Sequence, residues 1–220
     1  MNDKKICFIL CVNDDFYFRE MQLYLERLII PDGMSVDIIP VYEAESMTSG
    51  YNQAMQQSDA RYKIYLHQDL FILKRDILSE LLNIFQHNPQ IGMIGMAGCV
   101  ELPPSGAWWL GTKGYGNVRS KVVAEETHDA CFGIMQEPFA EVEAIDGIFM
   151  ATQYDIPWRT DLFKGWHFYD ISQSEEFQRA GYKVVIPQQN EPWVMHVCGQ
   201  VLLGEEYRYW DAIFLAEYKR

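Results

Sequence analysis

Apolar residues along the first hundred positions occur in blocks whose spacing alternates between that of strands and that of helices. Residues 6–12 form a continuous apolar run, which is typical of a buried strand in a parallel sheet. Asn13-Asp14-Asp15 then offers a helix start, and apolar residues recur at helical spacing until Pro31-Asp32-Gly33. The same reading predicts strands at 36–42, 62–66 and 91–97, a helix capped by Ser46 that runs to about Ser58, and a helix at 76–87. This alternation predicts right-handed βαβ units and an α/β fold with a mostly parallel central sheet.

The pattern changes after residue 97. Residues 98–140 are rich in glycine, proline and aromatic side chains, which predicts a long functional loop, able to close over a ligand and exclude water. Later segments predict strands at 142–145, 148–151, 182–186 and 193–197, and helices at 171–180 and 205–218. The chain shows neither an internal repeat nor a low-complexity linker, so we expect one domain over residues 1–220.

Charge and composition narrow the class of partner. The formal net charge of −13 disfavours nucleic acids and anionic membranes, because both require patches of lysine and arginine. No apolar stretch approaches the roughly 18 residues of a membrane span, and the polar start lacks the features of a signal peptide. The five cysteines form no CxxC pair, which favours free thiols. We therefore expect a cytoplasmic protein.

The most informative polar residue is Asp69, which closely follows the predicted strand at 62–66 and is followed at once by apolar residues. In an α/β sheet the carboxyl end of a strand opens onto the ligand crevice, where a carboxylate can hold a divalent cation and, through it, a phosphate. The alternative is structural: Asp69 caps a helix or ends the strand in a turn.

Three further polar sites lie at strand ends or element junctions, and each has a structural alternative. Asp146-Gly147 follows a predicted strand but also fits a plain turn, and Asp170 precedes a predicted helix that it could cap. His196 ends a strand but also fits a hydrogen-bonded core histidine. Together they supply a cation-binding carboxylate, an imidazole and a second carboxylate able to act as a base.

Several nucleotide-binding classes are disfavoured by missing loops. The chain has no GxxxxGK[ST] motif, which removes ordinary ATPases and kinases. The first strand ends in Asn13-Asp14-Asp15 without a glycine-rich turn, which disfavours both a Rossmann dehydrogenase and a sugar nucleotidyltransferase.

A series of short motifs occurs in a fixed order along the chain: Ser49-Gly50-Tyr51-Asn52, Tyr65-Leu66-His67-Gln68-Asp69, Ile145-Asp146-Gly147, His167-Phe168-Tyr169-Asp170, Arg179-Ala180-Gly181-Tyr182-Lys183-Val184 and His196-Val197-Cys198-Gly199. Over roughly residues 5 to 200 this order resembles the GT-A glycosyltransferases of the family 2 type, in particular the small glycosyltransferase-like domains associated with streptomycin biosynthesis. The resemblance implies a Rossmann-like, nucleotide-diphospho-sugar transferase fold. Residues 1–97 would form the nucleotide-sugar-binding half and residues 98–220 the acceptor side.

The resemblance also implies a metal site. His67-Gln68-Asp69 stands where the family has its DxD motif, so Asp69 would bind Mg or Mn on the donor diphosphate, and His67 replaces the first Asp. His196 matches the histidine that often completes the site. One carboxylate with an imidazole suits Mn somewhat better than Mg.

The donor and its nucleobase are assigned in the same way. The nucleobase pocket would lie between Val12-Asn13 and the end of the second strand, where the family usually has Asp and this chain has Glu43. Asn52, in the first of the motifs, is assigned to the donor side as well.

The resemblance makes Asp170 the catalytic base, preceded by Tyr169 where the family usually has Glu. The acceptor side would be formed by Asp146, an aromatic wall and a histidine: Trp108, Trp109, Trp166 and His167. The aromatic residues fit packing roles equally well.

These inferences predict a metal-dependent, inverting glycosyltransferase that moves a sugar from a nucleotide-diphospho-sugar to an acceptor hydroxyl. A glycan or a small molecule would be the acceptor. Two alternatives stay open: a non-catalytic module that binds nucleotide or glycan, and a sugar nucleotidyltransferase on a related fold.

Overall fold

The chain forms five α-helices and thirteen β-strands within the residues that the structure, a computed structural model, describes: 1–122, 126–133, 135–198 and 204–218. The helices are α1 (Asp15–Leu25), α2 (Met47–Gln57), α3 (Ile77–His87), α4 (Tyr169–Arg179) and α5 (Glu205–Tyr218). The strands are β1 (Asn2–Val12), β2 (Ser35–Tyr42), β3 (Ala60–Leu66), β4 (Leu70–Ile72), β5 (Ile91–Gly95), β6 (Ala97–Cys99), β7 (Gly114–Val122), β8 (His128–Gly133), β9 (Phe139–Glu141), β10 (Ala144–Ile145), β11 (Phe149–Thr152), β12 (Lys183–Pro187) and β13 (Val194–Cys198).

A seven-stranded sheet in the order β2-β1-β3-β11-β5-β12-β9 forms the centre of the molecule. Strand β1 runs parallel to both β2 and β3, and β12 runs parallel to β5. Strand β11 lies antiparallel between β3 and β5, and β9 is an antiparallel edge. Five of the seven strands therefore share one direction, and the prediction of an α/β fold with a mostly parallel central sheet is confirmed.

Strand β1 is buried on both faces, which explains its continuous apolar run. Successive side chains point to opposite faces of the sheet. Phe8 and Leu10 join the core cluster that contains α1 and α3, whereas Ile9 and Cys11 join the cluster that contains α2.

A second sheet, in the order β10-β6-β7-β13-β4 with β8 paired to β7, covers much of the region predicted as a loop. The loop prediction for residues 98–140 was therefore wrong for β7 and β8, whereas residues 100–113 contain no strand. The strand signal is weak because β8 is largely exposed and because glycines bring backbones close together. Gly116 has φ +120°, and a Cβ there would lie 2.2 Å from the carbonyl oxygen of Met96.

Helix starts follow the predicted capping residues in part. Asp14 caps α1 and Ser46 caps α2, each by accepting a hydrogen bond from a backbone N–H two or three residues later. Asp76 precedes α3 but makes no side-chain capping bond.

Several chain segments meet at the carboxyl ends of the parallel strands. Strands β1 and β3 are parallel and both end there, and β11 begins there, with Phe149 opposite Leu66. The turn before β11, which contains Asp146 and Gly147, therefore lies beside the turn after β3. The carboxyl ends of parallel strands are where α/β sheets commonly bind ligands.

Candidate active site

The turn after β3 is held by backbone hydrogen bonds from two directions. The N–H of His67 donates to the carbonyl of Ile148 at 3.2 Å, and the N–H of Val197 donates to the carbonyl of Asp69 at 3.0 Å. Strand β4 then pairs antiparallel with β13, with Leu70 opposite His196. This register brings His196 beside Asp69, although 127 positions separate them in the chain.

His67, Asp69 and His196 form one cluster, in which ligand atoms of all three lie within 4.8 Å of one another. The Oδ1 atom of Asp69 lies 3.4 Å from Nε2 of His196 and 3.9 Å from Nδ1 of His67. Metal–ligand bonds to nitrogen and oxygen are about 2.1 Å long, so one ion can contact all three side chains after small adjustments. The donor set therefore fits a divalent cation.

Asp69 and His196 stabilise each other's charged forms. Burial opposes the charge on Asp69, but the hydrogen bond and the attraction from His196 outweigh it and lower the pKa of this carboxyl. Burial likewise opposes the charge on His196, but Asp69 outweighs it and raises the pKa of the imidazole. Burial, followed by the nearby His196, lowers the pKa of His67. A bound cation would take the place of the proton on His196.

Asp170 lies in the first turn of α4 and is not its N-cap, so the capping alternative was wrong. The residue at the cap is Phe168, in the left-handed conformation with φ 63°, without a capping side chain. The Oδ2 atom of Asp170 instead accepts a hydrogen bond from the N–H of Gly147 at 3.0 Å. Burial, with a smaller contribution from the negative charge of Asp146, raises the pKa of Asp170 to about 7.

A cavity of about 240 Å³ lies on one side of the histidine–aspartate cluster. Its wall contains five residues predicted for the donor side: Val12, Asn13, Glu43, His67 and Asp69. The structure does not bring Asn52 into this wall. Its side-chain amide donates to the carbonyl of Trp158 at 3.0 Å and accepts from the Trp158 N–H at 2.9 Å, which makes it a clamp between α2 and the segment after β11.

A larger cavity of about 520 Å³ lies on the other side of the cluster. Its wall contains all the residues predicted for the base and the acceptor, together with His196: Asp170, Asp146, Trp108, Trp109, Trp166 and His167. Trp109 and Trp166 are each 43% exposed, whereas Trp108 is 6% exposed and packs on Phe132. His67 and Trp166 line both cavities, which therefore meet at these two residues.

Four residues that line or support the two cavities were not assigned a role in the sequence analysis: Gln68, Tyr169, Phe132 and Tyr207. The oxygen of Gln68 accepts from the N–H groups of Asn13 and Asp14 at 2.9 and 3.0 Å, so this side chain joins the turns after β1 and β3. Tyr169 hydrogen-bonds His67, while Phe132 and Tyr207 line the larger cavity. Gln68 and Tyr169 lie within the motifs identified in the sequence, which was the only signal that could have found them. Phe132 and Tyr207 lie in no such motif.

The sequence of the chain matches that of a known family. A family model described as "Glycosyltransferase like family" matches residues 7–218. The chain belongs to this family. The predicted relationship to glycosyltransferases of the family 2 type is therefore confirmed. No curated protein matches the sequence significantly.

Solved glycosyltransferase structures share the fold of this family member. The mannosyltransferase PcManGT from Pyrobaculum calidifontis, in complex with GDP-Man and Mn2+, aligns with a TM-score of 0.57 at 13% identity, over 100% of this chain and 65% of that one. S. aureus TarS 1–349 in complex with UDP-GlcNAc aligns with a TM-score of 0.57 at 9% identity, over 90% of this chain and 60% of that one. The chain thus spans less than two thirds of either protein, and the likeness confirms the GT-A fold. Within its described part, no helix is both long and apolar enough to cross a bilayer.

Proposed function

We propose that this glycosyltransferase family member is a metal-dependent, inverting enzyme that transfers a sugar from a nucleotide-diphospho-sugar to an acceptor hydroxyl. The observation that carries the proposal is the meeting of the two cavities at His67. The histidine–aspartate cluster lies at this junction, and the carboxylate of Asp170 lines the cavity beyond it.

The smaller cavity is the proposed donor site, and the larger is the proposed acceptor site. Nine of the ten residues that line the smaller cavity come from residues 1–97, the exception being Trp166. All residues that line the larger cavity lie beyond residue 97, except His67. This division supports a nucleotide-sugar-binding half at 1–97 and an acceptor half at 98–220.

Asp69 and His196 would hold the divalent cation, Mn or Mg, beside the donor diphosphate. The chemistry that this ion supplies when bound is stabilisation of the negative charge on the leaving diphosphate. Val12, Asn13 and Glu43 would contact the nucleoside, because they line the smaller cavity next to this cluster. PcManGT and TarS, whose structures contain GDP-Man and UDP-GlcNAc respectively, make donors of this class a reasonable expectation.

Asp170 would act as the general base. It would take the proton of the acceptor hydroxyl while that oxygen bonds to the anomeric carbon and the bond to the diphosphate oxygen breaks. A pKa of about 7 suits a base at neutral pH, because it combines an ionised carboxylate with useful basicity. One base and a single displacement give inversion at the anomeric carbon.

The larger cavity suits an acceptor with a ring and without strong negative charge. Its described lining combines aromatic side chains with Asp146 and Asp170 and contains neither lysine nor arginine. Aromatic faces can stack on sugar rings, and Trp109 and Trp166 are exposed enough to do so. We place the enzyme in the cytoplasm, where nucleotide-sugar donors are available.

Donor binding and transfer test this proposal together. The purified protein is screened for thermal stabilisation by UDP, GDP, dTDP and CDP, each with Mn2+ or with EDTA. We expect one nucleotide to stabilise the fold in Mn2+ only, and the matching nucleotide sugar to be consumed when an acceptor is added. Nucleotide binding without turnover across a broad acceptor panel would instead assign a non-catalytic binding module. Pyrophosphate release from a nucleoside triphosphate and a sugar phosphate would assign a nucleotidyltransferase.

A further inference from the structure

The two ring nitrogens of His67 face different partners. Its Nε2 atom is hydrogen-bonded to the hydroxyl of Tyr169, and its Nδ1 atom faces Oδ1 of Asp69 at 3.9 Å. In the neutral imidazole only one nitrogen carries a proton, so the partner of one nitrogen decides what the other can do. When Nε2 carries the proton and donates it to the tyrosine oxygen, the lone pair of Nδ1 is available towards Asp69 and His196.

Tyr169 cannot easily move its hydroxyl away from His67. Its side chain is 4% exposed and lies among the rings of Tyr51 and Trp158, with centroid distances of 6.0 and 6.3 Å. On the other side the hydroxyl lies against Gly147, where an added Cβ would be only 2.2 Å away. The hydroxyl is therefore fixed between a glycine backbone and the imidazole.

These contacts join two of the three positions at which the chain departs from the motifs of the family it resembles, the third being Glu43. His67 replaces an aspartate, and Tyr169 replaces the residue before the base. In this structure the two replacements touch each other, so each supplies a partner that the other needs.

We propose that His67 is itself a metal ligand through Nδ1, and that Tyr169 is the positioning residue that orients it. This inference deepens the proposed function and rests on it, because it concerns the same metal site. The ligands are then two imidazoles and one carboxylate. Mg2+ prefers oxygen ligands, whereas imidazole suits first-row transition metals, so the site selects Mn2+ or Co2+ over Mg2+.

Metal titrations of the whole protein test this assignment without relying on turnover. Mn2+ affinity is measured by the loss of the free-ion electron paramagnetic resonance signal, with Mg2+ as a competitor, both with and without the nucleotide that stabilises the protein. The absorption spectrum of added Co2+ reports its nitrogen ligands. The variants are His67→Asp, which restores a carboxylate, and Tyr169→Phe, which removes only the hydroxyl. Tyr62→Phe is the matched control, because Tyr62 packs on Phe85 in the core.

For Tyr169→Phe we expect about 10-fold weaker Mn2+ binding, the usual lower bound for losing the partner of a metal-ligating histidine. For His67→Asp we expect the Mn2+-to-Mg2+ affinity ratio to fall by about 10-fold and the Co2+ spectrum to change. Tyr62→Phe should leave all three measurements unchanged. Circular dichroism and melting temperature establish that each variant is folded.

An unchanged ratio and an unchanged Co2+ spectrum in folded His67→Asp would overturn the assignment of His67 as a ligand. Wild-type Mn2+ affinity in Tyr169→Phe would overturn the positioning role. Neither result would contradict the proposed function, provided that the nucleotide still bound in Mn2+ and the sugar were still transferred. Failure of the proposed function is instead marked by the absence of nucleotide binding and transfer.

Discussion

The side-chain oxygen of Gln68 accepts a hydrogen bond from the backbone N–H of Asn13 at 2.9 Å, and its amide nitrogen donates to the side-chain oxygen of the same asparagine. A third bond, from the N–H of Asp14, joins the same oxygen at 3.0 Å. Gln68, the middle residue of the turn that contains His67 and Asp69, is thereby tied to the turn after β1. One wall of the proposed nucleoside pocket depends on this contact, because both residues line the smaller cavity.

Replacing Gln68 should weaken donor binding without unfolding the protein. Gln68→Met removes all three hydrogen bonds, each with a net worth of about 1 kcal/mol, and releases Asn13. We expect about 10-fold weaker nucleotide affinity by calorimetric titration in Mn2+. Gln68→Glu keeps the two acceptor bonds and should lose less. Gln56→Met, at an exposed position of α2, is the matched control. Equal affinity in Gln68→Met and the control would contradict the positioning role.

Asp69→Asn should abolish the metal dependence of donor binding. The substitution keeps the shape of the side chain but removes the negative charge that stabilises the protonated form of His196 and that would hold the proposed cation in its place. We expect nucleotide affinity in Mn2+ to fall at least about 10-fold, to the value measured in EDTA. Asp32→Asn, at an exposed loop position, should retain the Mn2+ effect. Unchanged affinity in the Mn2+ titration would remove Asp69 from the metal site.

Asp170→Asn should separate binding from catalysis. The amide cannot accept the acceptor proton, so transfer should be lost, by roughly 100-fold or more, while nucleotide affinity stays near the wild-type value. Stopped-time assays of sugar transfer and nucleotide titration measure the two quantities on the same preparation. Transfer at the wild-type rate would show that another group is the base.

The rate should rise with pH through neutrality. A general base acts in its deprotonated form, and the pKa of Asp170 is raised to about 7, so kcat/KM should fall below pH 7 and level off above it. Asp146 contributes to this shift through its negative charge, so Asp146→Asn should move the midpoint to lower pH. The check is a pH profile of kcat/KM for both proteins under identical Mn2+ concentrations. A midpoint that does not move in Asp146→Asn would contradict the coupling.

Local sequence patterns correctly predicted those strands and helices whose formation depends on nearby residues. Strand β1 and helix α2 were readable because a doubly buried strand is apolar throughout and because Ser46 is a good helix cap. Strands β7 and β8 of the second sheet were not readable, since the exposed strand β8 lacks an alternating pattern and the glycines of β7 replace apolar side chains. Residues 199–203, which include the Gly199 of the last motif, lie outside the described residues.

In the candidate site, too, residues in local motifs were predicted, whereas contacts between residues far apart in the sequence were not. Asp69 was readable as an acid after a strand, and the resemblance linked it to His196 and Asp170. The contact between His67 and Tyr169 joins residues 102 positions apart, and the contact between Gln68 and Asn13 joins residues 55 positions apart. Such pairings follow from strand order and register, which no single motif encodes. Asn52 shows the converse: its motif position suggested a ligand, whereas its surroundings use both ends of its amide.

An ion pair between a buried lysine of β3 and the partly exposed Asp155 should contribute strongly to stability. The side chain of Lys63 is fully buried, and its Nζ donates to both oxygens of Asp155, at 2.8 and 3.0 Å, and to the carbonyl of Ala60. Asp155→Asn leaves the ammonium without its anion, so we expect the free energy of unfolding to fall by about 3 kcal/mol in urea titrations.

The matched controls for this pair are a surface substitution and a double variant. Asp59→Asn, which breaks an exposed pair with Lys5, should change stability very little. The double variant Lys63→Met with Asp155→Asn should recover most of the loss, because it removes the buried charge as well. If Asp155→Asn were as stable as Asp59→Asn, the pair would contribute nothing measurable.

Gly147→Ala should disturb the proposed metal site indirectly, by displacing Tyr169. The added Cβ would lie 2.2 Å from the hydroxyl of Tyr169 and 2.6 Å from its ring carbon Cζ, so the tyrosine must shift and its bond to His67 must weaken. We expect a loss of about 1–3 kcal/mol in unfolding free energy, as for other overpacked positions, together with weaker Mn2+ binding. Gly204→Ala is the control, since no atom of the described residues lies within 4 Å of a Cβ there. Adding Tyr169→Phe to Gly147→Ala removes the clashing oxygen and should restore part of the stability but not the Mn2+ affinity. Recovery of both would mean that the tyrosine hydroxyl only fills space, and recovery of neither would mean that the alanine acts through the turn of Gly147 itself.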